Sequence, residues 1–160
     1  MEKQVLQFSL KMGTRTYNVD LASELKIDKA NIDEEMTEQP MKYAWYSAIF
    51  EEANNEFNRC KLEVAELEAG IVTVLRERAK TGERLTEKVM DSEMRQFPSW
   101  STLQRKMLDA QSNLAMARVA KEAFQQRRDM IVSLGSLLRE ERMWSSDART
   151  LKTKTLSGVD

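Results

Sequence analysis

Tyr46, Phe50, Ala53, Phe57, Cys60, Val64, Leu67, Ile71 and Val74 follow one another at alternating steps of four and three. Nothing else in the chain constrains its fold as strongly. An apolar side chain every 3.5 residues is the a/d seam of a helix that packs lengthwise against another helix. The spacing predicts a helix from about Pro40 to Lys80, with Pro40 in a first turn and Gly82 as the stop. At 1.5 Å per residue it is roughly 60 Å long, and so long a helix needs a neighbour along its length.

That neighbour lies further along the same chain. Trp100, Leu103, Met107, Ala110, Leu114 and Ala117 repeat the alternation, which then slips and continues through Ala120, Phe124, Ile131, Leu134 and Leu138. This predicts a helix from about Trp100 to Met143, capped by Ser99 or Ser101 and folded back on the first as an antiparallel hairpin. Between them Thr86 opens a short helix that breaks at Phe97-Pro98. A second apolar line (Met116, Ala123, Met130, Leu137) requires a further neighbour, most simply a second copy of the chain.

Residues 4–19 alternate with period two and turn at Met12-Gly13-Thr14, which predicts a short β-hairpin, followed by a turn or two of helix from Asp20 to Leu25. The expected fold is therefore mainly α. A long antiparallel helical hairpin carries a short intervening helix and a small N-terminal β-hairpin, and assembles into an oligomer. Three segments follow: 1–31 with the β-hairpin and short helix, 32–143 with the long helices that oligomerise, and 144–160 as an unpatterned, mobile polar tail.

Composition narrows the function. There is no His, so no Ser/His/Asp or Cys/His nucleophile system can be assembled, and a zinc site would rest on one Cys and carboxylates. The single Cys60 sits on the seam, which excludes a disulfide framework and points to a reducing cytoplasm. No apolar run approaches the roughly 20 residues of a membrane span. The expectation is a non-enzymatic protein with no cofactor, no metal and no membrane.

Charge is unevenly distributed. Residues 20–68 hold thirteen acids and five bases, whereas residues 69–160 hold seventeen bases and twelve acids. The densest cations are Arg76, Arg78, Lys80, Arg84 and Lys88, around the tip of the helical hairpin, with Thr81, Gly82 and Thr86 among them. Lys and Arg charges, hydroxyls and exposed helix N-termini are what hold phosphates, so these five are the candidate nucleic-acid contacts. Cations in a last helical turn also suit the macrodipole, a purely structural role worth about 0.3–1 kcal/mol each. The aromatics Tyr43, Trp45, Tyr46, Phe50 and Phe57 are of the type that stacks bases. Tyr46, Phe50 and Phe57 sit on the seam and are assigned to the core, and Trp45 to a subunit contact. Arg127, Arg128 and the tail bases Arg149, Lys152 and Lys154 rank as secondary electrostatic contacts, and Asp33, Glu34 and Glu35 as solvated acids.

The order of these features resembles the UvsY-type phage recombination mediators. The resemblance spans residues 32–143: Ile32-Asp33, the aromatic start of the long helix from Tyr43 to Tyr46, the basic ending Leu75-Arg76-Glu77-Arg78, Gly82, the short helix from Thr86-Glu87-Lys88-Val89, and a long final helix. It implies a ring of about six or seven subunits in the cytoplasm of an infected bacterial cell. The ring would bind single-stranded DNA and help a RecA-like recombinase onto strands coated by single-strand-binding protein. The family's DNA-binding motif falls on Arg76 and Arg78. A different class shares the architecture: a structural phage assembly protein, scaffold or chaperone, whose cations only cap a helix.

Overall fold

The computed structural model describes residues 6–79 and 86–156, with side chains through residue 145. Strands β1 (Gln7–Met12) and β2 (Arg15–Asp20) form an antiparallel pair, followed by the single turn α1 (Leu21–Glu24) and a 3-10 turn over Lys29–Asn31. Then come three helices: α2 (Ile32–Ala79), α3 (Glu87–Gln96) and α4 (Pro98–Leu156). The expected mainly α chain holds, a long helical hairpin with a short intervening helix and an N-terminal β-hairpin, with α2 and α4 packed along each other. Among the described residues no helix is long and apolar enough to cross a membrane.

The β-hairpin turns on Gly13, whose φ of +56° is the left-handed value needed at the first central position of a two-residue II′-type turn. Register pairs Phe8 with Val19 and Leu10 with Tyr17, so one face of the ribbon is apolar. The other face is polar: Gln7 Nε2 donates to Asp20 at 3.0 Å and Ser9 Oγ to Asn18 at 2.7 Å. A lone two-stranded ribbon is marginal in water. This one is not alone, because Leu10, Met12, Val19 and Leu21 join one core with Tyr46, Ile49, Ala53, Leu114, Ala117, Ala120 and Phe124. The N-terminal segment is thus packed into the helical body rather than set apart from it.

Helix α2 starts eight residues earlier than Pro40. Asp28 accepts from Ala30 N at 2.9 Å and from Asn31 Nδ2 at 2.8 Å, shaping the 3-10 turn that leads directly into Ile32. Asp33, Glu34 and Glu35 then fill the first turn, where carboxylates suit the positive helix end. Pro40 lies inside the helix and forfeits one backbone hydrogen bond, a change worth about 3 kcal/mol against an ordinary residue. Ile32 and Gln39, buried before it, and Tyr46, buried after it, hold the helix through it.

The seam is buried as expected at Tyr46, Ala53, Cys60, Val64 and Ile71, with Phe50, Phe57 and Leu67 half-buried at its edge. At the far end it slips by one residue. Leu75 is 2% exposed whereas Val74 is 43% exposed. A straight helix has 3.6 residues per turn, so a strict seven-residue repeat drifts off the packed face within a few heptads.

Neither Ser99 nor Ser101 caps α4. Pro98 is its first residue, Phe97 O accepts from Trp100 N and Ser101 N, and Ser101 Oγ donates to Pro98 O. Helix α4 also continues to Leu156, through most of the segment expected to be an unpatterned tail. The second apolar line of α4 is partly satisfied within the chain. Met116 packs on the hairpin core, and Ala123 shares a cleft with Leu25 and Ile27, leaving Met130, Leu137 and Trp144 exposed.

Candidate nucleic-acid interface

The last turn of α2 is anchored by Leu75. Arg76 and Arg78 stand about 100° and −60° around the helix from it, so they straddle the packed edge and both are exposed. Glu77 lies on the far side from Leu75. Lys88 is the second residue of α3 and is exposed. Thr86 takes the extended backbone of an N-cap, but its side chain bonds no helix N–H. Lys80 and Arg84, with Thr81 and Gly82, lie outside the described residues. The structure therefore places Arg76, Arg78 and Lys88 at one end of the helix pair, where α2 ends and α3 begins.

Acids on the approach to this end are committed to structural bonds. Trp100 Nε1 donates to Glu68 at 2.9 Å, and Lys106 Nζ to Glu63 at 2.8 Å, which raises the pKa of Lys106 above its ordinary value. Further back, Glu52 accepts from Tyr17 at 2.6 Å, Glu24 from Tyr46 at 2.8 Å, and Glu38 pairs with Lys42. The acidic excess of residues 20–68 is thus largely spent inside the fold, whereas Arg76, Arg78 and Lys88 are exposed.

No family model, curated protein or solved structure matches this chain. Its interface is read from its own geometry.

Two sequence assignments change. Arg127 is 3% exposed and is no surface contact. Its guanidinium bonds Gln39 Oε1 at 2.6 Å, Lys26 O at 2.9 Å and the Glu35 carboxylate, while Gln39 Nε2 donates to Phe124 O at 2.7 Å. Glu35, expected to be solvated, also accepts from Asp28 N at 2.9 Å. Desolvation pushes the Glu35 carboxyl up, but the bonds from Asp28 N–H and Arg127, with Arg127's charge, outweigh it and hold the pKa below its ordinary value. The network ties the N-terminal segment, α2 and α4 together. Trp45, expected at a subunit contact, packs edge-on against Tyr17 at 6.2 Å and Tyr46 at 4.6 Å and keeps 44% of its surface exposed.

Sequence reasoning missed the cations that gather over the half-buried aromatics. Lys121 Nζ lies 4.5 Å from the Phe50 ring centroid and the Arg118 guanidinium 5.9 Å, with Lys61 Nζ 5.9 Å from that of Phe57. The rings were legible as a seven-residue series. Cations from α4 come over them only through the register between helices, which no single-helix pattern states.

Proposed function

We propose that this protein is a non-enzymatic recombination mediator of the UvsY type. It binds single-stranded DNA through the tip of its helix pair and helps seat a RecA-like recombinase on strands held by single-strand-binding protein. The observation that carries this reading is the exposed pair Arg76 and Arg78 on the last turn of α2, with Lys88 exposed at the start of α3. Phosphate contacts of this kind give affinity without sequence readout. Met130, Leu137 and Trp144, exposed along α4, supply the apolar contacts on which a homo-oligomeric ring in the host cytoplasm would be built.

The test is single-strand binding against salt. The double variant Arg76→Ala/Arg78→Ala is expected to weaken binding about equally for all sequences and to flatten the log–log salt slope by roughly 0.7 per lost contact. Helix content and particle size stay as in the parent, because exposed substitutions cost little stability. A double variant that binds as well as the parent removes the tip from the interface.

The same exposed Leu137 and Trp144 favour a second reading, a helical phage assembly protein without nucleic acid. It predicts no single-strand binding at physiological salt.

A further inference from the structure

We infer that the face of the helix pair opposite the β-hairpin is a second single-stranded nucleic-acid contact, a track of half-buried rings with cations over them. This inference rests on the single-strand-binding reading above and adds a site distant from the tip.

Tyr43, Phe50 and Phe57 recur at seven-residue steps and so lie in one line on α2, each half-buried. The hairpin packs along the other edge, where Trp45 and Glu52 meet Tyr17. Arg118 and Lys121 reach Phe50 from α4, and Lys61 reaches Phe57 from α2 itself. At the Tyr43 end, Met36, Pro40, Ile131 and Val132 wall a shallow pocket of about 250 Å³ that Arg128 also lines. The line from residue 43 to 57 is about 21 Å long, which matches roughly six nucleotides at a stacked spacing of ~3.4 Å.

Charge selects the occupant. On α2, positions 36, 40, 43, 47, 50, 54, 57, 61 and 65 share this edge and include no carboxylate. The nearest acids are Glu51 beside Phe50, Glu122 beside Lys121, and Asp129, which pairs with Arg128 at 2.8 Å. A polyanion whose units also offer flat π-faces fits this arrangement: phosphates take the cations and unpaired bases take the rings. A duplex hides its base faces and fits only the cations. The bland alternative is that Lys and Arg merely drape their stems over half-buried rings.

The full chain is photo-crosslinked to a halogenated-uracil oligonucleotide, and the adducts are mapped. The track requires adducts at Tyr43, Phe50 or Phe57; adducts confined to peptides around 76–88 overturn it. In parallel, Arg118→Gln/Lys121→Gln/Arg128→Gln is titrated with an oligothymidylate. A loss of roughly 100-fold at 0.1 M salt and a slope shallower by about 2 are expected for three lost phosphate contacts. A parent that binds but a triple variant that binds equally well overturns the track and leaves the tip reading standing. A parent that binds no single strand overturns both. If the triple variant loses helix content, the crosslinks on the unaltered protein decide.

Discussion

The two faces of the α2–α4 pair were built from similar residues and put to different uses. On one face the aromatics are sealed. Tyr46 stacks on Phe124 at 4.2 Å and the β-hairpin covers them with Leu10, Met12 and Val19, while Trp45 leans on Tyr46 from the exposed rim. Its carboxylates bond inward, and burial with the Glu24 contact pushes the Tyr46 hydroxyl pKa well up. On the other face Tyr43, Phe50 and Phe57 stop at half burial, and cations lie over the Phe50 and Phe57 rings. A helix pair thus becomes two-sided without a change of seam, through what the N-terminal segment covers and what it leaves bare.

Removing the cover is the hardest blow to that contrast. Deleting residues 1–20 strips Leu10, Met12 and Val19 from the core, at about 1.5–3 kcal/mol each, a loss comparable to the whole stability of a domain. The expected result is loss of a cooperative thermal transition by circular dichroism; a truncated chain that melts like the parent would show the faces to be equivalent. Next comes Arg127→Ala, which removes the guanidinium from Glu35 and Gln39 and is expected to cost about 3–5 kcal/mol in denaturant titration. The same network sets an acid limit. Because the folded pKa of Glu35 is depressed, its contribution is full above the unfolded value near ~4.3 and is lost as pH falls through the lower folded value. Arg127→Ala should lose that part of the acid dependence.

The smallest effect sharpens the comparison most. Phe124→Leu and Phe50→Leu make the same chemical change on sealed and bare ground. The first is expected to cost about 1–3 kcal/mol and the second under ~1 kcal/mol, measured by chemical denaturation. Equal costs would mean that Phe50 is as much a core residue as Phe124.

The helical hairpin was legible because a seam of nine residues at 3.5 spacing admits few other folds. The β-turn was legible because Gly13 supplies a φ that other residues avoid. What escaped the sequence depended on tertiary partners. Pro40 reads as a helix start until Ile32 and Gln39 are seen buried ahead of it in the same helix. Arg127 reads as a surface cation until Glu35, ninety-two positions away, is found against it. The tip cations Arg76, Arg78 and Lys88 stand exposed where the pattern placed them, whereas the cation-edged rings needed the register of α4 against α2.

The β-hairpin leaves the ribosome before the helices, yet its shelter is synthesised late. Leu10, Met12, Val19 and Leu21 are buried against Leu114, Ala117, Ala120 and Phe124. Translation must therefore proceed roughly 100 residues past the ribbon before its apolar side can close, about 5–20 s at typical elongation rates. During that interval the polar outer side, with Gln7 bonded to Asp20 and Ser9 to Asn18, is the only finished surface the nascent ribbon presents. Its apolar side is a client for whatever shields new chains, until the middle of α4 emerges and relieves it.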